Sequence, residues 1–138
     1  MNATEINQRS AVLWTYLGMT LSNCDKSQEA LKCFAKAESL DSGRPLTKYQ
    51  KVTVLQTLGR YQECLEVLEE LTKIVPKEAP IHITMGKIYK LMGRKADALR
   101  AYNKALDLDP KDTNMVKTLI DKLHQNDDMT EDNDLPML

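Results

Sequence analysis

The sequence predicts an all-α solenoid of three helix-turn-helix repeats closed by a C-terminal capping helix, and three observations carry that prediction. Laying residue 45 over residue 11, and residue 79 over residue 45, brings small, apolar and proline positions into phase, so a 34-residue period divides the 138-residue chain. Within each period, apolar residues recur at spacings of three and four on both sides of a short polar break, the pattern of two amphipathic helices. Only 5 Gly and 5 Pro accompany 42% apolar residues, which leaves enough core-forming mass and no linker-rich stretch.

Residues 1–10 form a lead-in, residues 11–44, 45–78 and 79–112 the three repeats, residues 113–125 the cap, and residues 126–138 an acidic, disordered tail. In the first block the phased positions are Trp14, Leu17, Gly18, Ala30, Phe34 and Ala37; in the third they are Met85, Gly86, Tyr89, Ala98, Tyr102, Ala105 and Pro110. The middle block is less regular, with Val52 at the Gly position and Cys64 at the Ala position. Helix A is expected over 11–23, 45–57 and 79–91, and helix B over 27–40, 61–74 and 95–108. Gly59 and Gly93 stand at the breaks, where a helix end needs a left-handed residue; Asn23 or Asp25 can take that role in the first block. Pro76 and Pro110 end helix B because a continuing helix needs the amide that proline lacks. Gly18 and Gly86 are expected to face Ala30 and Ala98, with Trp14, Leu17, Phe34, Tyr89 and Tyr102 filling the space between helices. In the cap, Val116, Leu119, Ile120 and Leu123 make one apolar stripe beside Lys117, Asp121, Lys122 and His124.

The balance of 19 Lys+Arg against 20 Asp+Glu removes the crude charge argument for nucleic-acid binding. That balance is an average. The tail holds five acids and no base, so the residues before it carry 19 bases against 15 acids, a charge of +4. No apolar run approaches the roughly 20 residues that span a bilayer, and Met1–Ser10 has neither the basic nor the apolar region of a secretory signal. Cys24, Cys33 and Cys64 are odd in number and lack CxxC spacing, so neither a disulfide framework nor a metal site is expected and a reducing compartment, nucleus or cytoplasm, fits best. No cofactor motif is present: Gly86-Lys87 lacks the glycine-rich run and the Ser/Thr of a phosphate loop, and neither GxGxxG nor HExxH occurs. His82 and His124 have no serine or cysteine placed by sequence to pair with them, which argues against an enzyme.

The order Trp, Leu-Gly, Tyr, Ala, Phe, Ala and Pro at this spacing resembles the tetratricopeptide repeat over residues 11–112. That resemblance implies a right-handed superhelix whose inner face is lined by helix A, the usual place for a peptide ligand. In phase, the inner stripe takes Val12, Thr15, Met19 and Ser22, then Leu46, Tyr49, Thr53 and Gln56, then Ile83, Lys87 and Lys90, then Asn114, Lys117 and Asp121. On this reading the peptide-binding groove is Thr15, Met19, Tyr49, Thr53, Gln56, Ile83, Lys87, Lys90 and Lys117, with the lysines meeting acidic groups. The bland alternative makes those lysines a solvated helix face. Repeats of this family that hold the C-terminal carboxylate of large heat-shock chaperones present Lys, Asn and Arg at positions that are here Thr15, Met19, Gln50, Pro80 and Thr84, so that ligand is disfavoured.

Three longer stretches carry a closer likeness: Leu65 to Glu78, Met85 to Gly93 and Ala105 to Lys111, together with Pro45-Leu46-Thr47-Lys48-Tyr49. They resemble the C-terminal repeats of the cell division cycle protein 27 family, a subunit of the anaphase-promoting complex. The resemblance implies a non-catalytic scaffold in a nuclear ubiquitin ligase acting at mitosis, one that docks Ile-Arg C-terminal tails of co-activators and a core subunit. An arginine tail wants acidic partners, and apart from Asp121 the expected stripe offers lysines. The alternative is a free-standing adaptor of the same fold binding another peptide. The apolar N-terminal face of the first repeat, around Val12, Leu13 and Tyr16, is expected to bring self-association or marginal stability in isolation.

Overall fold

The computed structural model describes residues 2–109, 111 and 113–128, the last three by their backbone alone. Seven helices account for nearly all of these residues, with no strand among them: α1 (Ala3–Asn23), α2 (Ser27–Leu40), α3 (Pro45–Thr57), α4 (Tyr61–Ile74), α5 (Ala79–Leu91), α6 (Lys95–Leu108) and α7 (Thr113–Asp128). They fall into two compact units, one of α1 to α4 ending at Pro76 and one of α5 to α7 beginning at Lys77.

The three hairpin turns are one construction used three times. Asp25, Gly59 and Gly93 take φ values of 62°, 74° and 77°. Just past each, the N–H of Lys26, Arg60 or Arg94 donates back to the carbonyl of Leu21, Leu55 or Tyr89 at 2.9, 2.9 and 2.8 Å. This is the pattern of a Schellman helix end, and it satisfies carbonyls that the finished helix leaves open. In the first block the left-handed residue is thus Asp25, and Asn23 is the last residue of α1.

In the first unit α1 reaches back to Ala3, so residues 3–10 are helix where a lead-in was expected. The cause is Asn2, whose side-chain oxygen accepts the Glu5 N–H at 2.8 Å and caps the first turn. The core gathers Ala30, Phe34 and Val54, with Met19, Leu21, Leu31 and Leu58 around them. The Phe34 ring lies over Gly18, 2.5 Å from where a Cβ on that glycine would stand. An aromatic ring on helix B reaches across to helix A, and only a residue without a side chain leaves room for it. Leu17, expected inside, is 46% exposed, and Trp14 is half-buried.

The second unit repeats the arrangement with Tyr102 over Gly86. Ala79, Ile83, Ala98, Tyr102 and Ala105 form its core, and α7 closes it with Val116 and Leu123. The apolar stripe of α7 packs inward as its spacing requires, and the helix continues to Asp128, three residues past the expected end of the cap. Residues 129–138, the rest of the acidic tail, and Pro110, the expected stop of α6, lie outside the described residues.

Candidate functional site

The residues expected to line the groove divide by unit, and each unit presents its own part. On α3, Tyr49, Thr53 and Gln56 follow one another at spacings of four and three and so share a face. Thr53 is exposed and its hydroxyl donates to the Tyr49 carbonyl at 3.2 Å, while Tyr49 and Gln56 are partly exposed. Met19 on α1 is partly exposed and packs against the Phe34 cluster.

Thr15 offers no surface to a ligand, because it is fully buried. Its hydroxyl donates to the Ala11 carbonyl at 2.9 Å and lies 2.7 Å from the Thr47 hydroxyl. A hydroxyl has one proton, so with that proton on Ala11 the Thr47 hydroxyl is the donor of the second bond. The pair joins α1 to α3 inside the first unit.

In the second unit Lys87 and Lys90 are exposed on α5, and Lys117 is exposed on α7. Ile83 points the other way, into the core with Tyr102 and Val116, and is withdrawn from the expected groove for the same reason as Thr15: helix A is packed on more than one side. What remains is a thioether, a phenol, one hydroxyl and an amide in the first unit, which can hydrogen-bond a peptide, and three ammonium groups in the second, which can ion-pair one. Neither set contains a nucleophile beside a base.

The remaining reactive groups are placed as packing residues. Cys64 is buried with its Sγ 3.6 Å from the Val52 carbonyl, and burial pushes its thiol up to about 11. Burial, with the Lys104 ammonium adding to it, lowers the pKa of His82. Among the described residues no three His, Cys, Asp or Glu side chains gather as a metal ion requires.

One cluster was missed at the level of sequence. Lys48 is buried, and its ammonium donates to Glu38 at 2.9 Å and Glu70 at 2.8 Å while Lys51 donates to the other oxygen of Glu38 at 2.8 Å. Three helices, α2, α3 and α4, are tied by four side chains. Burial alone would raise the Glu38 carboxyl, but hydrogen bonds from Lys51 and Lys48 outweigh it and hold the carboxyl below its ordinary range. Burial alone would lower Lys48; the bonds to Glu70 and Glu38 reverse this and raise it. The available signal was a lysine standing in phase with Trp14, a charge where the repeat places a large core residue.

Comparison with known proteins adds the family relation. The profile of the tetratricopeptide repeat matches residues 11–43 and 79–112. Anaphase-promoting complex subunit 3 of Dictyostelium discoideum is 39% identical over 91% of this chain, and cell division cycle protein 27 homolog A of Arabidopsis thaliana is 38% identical over 82%. The chain spans 13% and 16% of the length of these two relatives. Among solved structures, the Arabidopsis OM64 TPR domain superposes on 87% of this chain and 98% of its own with a TM-score of 0.75 at 15% identity, a likeness of fold.

Proposed function

The chain belongs to the tetratricopeptide repeat family, and from that premise we propose that it is a non-catalytic scaffold segment of an anaphase-promoting complex subunit, docking co-activators or neighbouring subunits in cell-cycle control. The observation that carries this reading is the identity to Anaphase-promoting complex subunit 3 of Dictyostelium discoideum and cell division cycle protein 27 homolog A of Arabidopsis thaliana, 38–39% over 82–91% of this chain. Nothing in the exposed side chains recommends a reaction, and the surfaces on offer are those of a binding module.

In this reading the docking surface of the first unit is the face of α3 with Tyr49, Thr53 and Gln56, supplemented by Met19; that of the second is Lys87, Lys90 and Lys117. The uncovered side of α1, where Ile6, Leu13, Tyr16 and Leu17 are exposed, serves self-association. No helix among the described residues is long and apolar enough to cross a membrane, and the working place of such a scaffold is the nucleus or the cytoplasm.

The test is recovery of the tagged chain from dividing cells followed by identification of what comes with it. Other subunits of the complex are expected, and their absence beside recovery of unrelated partners favours a free-standing adaptor. Peptides ending in Ile-Arg, compared with amidated and Ile-Ala versions, then ask whether tail recognition lies in this segment; equal capture of all three removes it. Sedimentation over a range of concentrations tests the α1 face, and a strict monomer throughout rules out self-association.

A further inference from the structure

The hairpins α3–α4 and α5–α6 carry surface clefts at equivalent repeat positions. The first, of about 230 Å³, is walled by Lys51, Leu55, Glu63, Glu66, Val67 and Glu70. The second, of about 200 Å³, is walled by Met85, Tyr89, Asp97, Arg100, Ala101 and Lys104. Every residue of the second set stands 34 positions after its counterpart in the first. Position is kept and charge is inverted, since Glu66 and Glu70 become Arg100 and Lys104.

The inversion leaves the second cleft short of anions. In the first, Glu70 is bonded to the Lys48 ammonium at 2.8 Å. The residue 34 positions after Lys48 is His82, which also lines the second cleft, so a bonded pair of opposite charges is replaced by an imidazole near a lysine. Their mutual effect is repulsive, for Lys104 opposes the charging of His82. Asp97 is the acid of the cleft, and its carboxylate is already shared by Arg94 and Arg100. Among the described residues no carboxylate pairs with Lys104. Arg100 and Lys104 are one turn apart on α6, so both can reach a single acidic group, and Met85 and Ala101 give an apolar wall beside them.

We propose that the α5–α6 cleft binds an acidic segment of a partner protein, a carboxylate seated against Arg100 and Lys104 with a neighbouring apolar side chain on Met85 and Ala101. This surface is separate from the groove proposed above, because His82, Met85 and Tyr89 leave α5 on a different face from Lys87 and Lys90. An anion in the cleft supplies what Lys48 finds in Glu70. It also favours the protonated form of His82, so occupancy and the His82 pKa rise together.

The experiment is a titration of the labelled full chain, followed by NMR, with a peptide of alternating glutamate and leucine and with its glutamine counterpart. The glutamate peptide is expected to shift the methyl resonances of Met85 and Ala101 and to raise the His82 pKa; the glutamine peptide should do neither. Exchanging both cations in Arg100→Glu/Lys104→Glu, at exposed positions that leave folding intact by circular dichroism, should weaken binding about tenfold or more. Shifts confined to Lys87 and Lys90, or no shift, would overturn the proposal. So would a fall in the His82 pKa of the peptide-free chain when Asp127, Asp128, Glu131, Asp132 and Asp134 are changed to amides, for the chain's own tail would then be the occupant.

Discussion

Phe34 lies across Gly18 so closely that a methyl group on that glycine would sit 2.5 Å from the ring. Tyr102 covers Gly86 in the same way, and at the equivalent positions the middle repeat carries Val52 and Leu68, both buried: a larger residue on helix A and a smaller one on helix B. Gly86→Val is therefore expected to destabilise by about 1–3 kcal/mol through overpacking. Gly86→Val/Tyr102→Leu should recover most of the loss by importing the middle repeat's pair. Urea unfolding of the single and double variants checks this, and simple addition of two destabilisations would refute the size exchange.

The buried hydroxyl pair makes a second cycle. Thr15→Val leaves the Thr47 hydroxyl inside without its acceptor and should cost about 1–3 kcal/mol. Thr15→Val/Thr47→Val removes both polar groups and should be milder than the two singles summed, which denaturant melts can measure.

Lys48 sets a pH dependence at both ends. The lowered Glu38 gives stability that is present above the ordinary Glu pKa and is lost as pH falls through its folded value. The raised Lys48 gives stability that is present below the ordinary Lys pKa and is lost as pH rises through its folded value. Lys48→Met should cost about 1–3 kcal/mol near neutrality, kept to that range because the Glu70 side chain is 53% exposed. Unfolding free energy measured across pH should show both declines shrink in this variant: the alkaline one to what the buried Cys33 and Cys64 thiols and the Tyr102 phenol contribute, and the acid one to what Lys51 keeps at Glu38 together with Glu63 and Asp97.

The positive φ of Gly59 and Gly93 makes Gly59→Ala and Gly93→Ala each about 1 kcal/mol destabilising, despite open space around both glycines. Thermal melts decide this. An unchanged midpoint would mean that the hairpin turn relaxes to another geometry.

Thiol labelling separates the cysteines. Cys24 is exposed, Cys33 and Cys64 are buried, and burial raises the pKa of both inner thiols. An alkylating reagent on the native chain should modify Cys24 first, with the other two following only on unfolding, as peptide mass mapping would reveal.

Most of the hairpin geometry was legible because its signals are local. The polar breaks, Gly59 and Gly93 place the ends of α1, α3 and α5 and the starts of α2, α4 and α6 where the structure has them. Residues 3–10 escaped because Asn2 caps a helix whose first turns lie before the first full period. The candidate site was less legible. Periodicity tells which positions of helix A turn inward in the repeat, yet α1 and α5 are packed on more than one flank, and Thr15 and Ile83 fall on covered flanks. Lys48 was hidden for a different reason: its stability depends on Glu38 and Glu70, which come from two other helices and announce themselves by no spacing of their own.

The size exchange at the helix crossing has a consequence for how a repetitive chain finds its partners. Three similar A helices and three similar B helices invite wrong pairings during folding. Setting Val52 against Phe34 would force a clash where Gly18 leaves room, and setting Gly18 against Leu68 would leave a void. By volume, each hairpin is thus expected to disfavour its neighbour's helix.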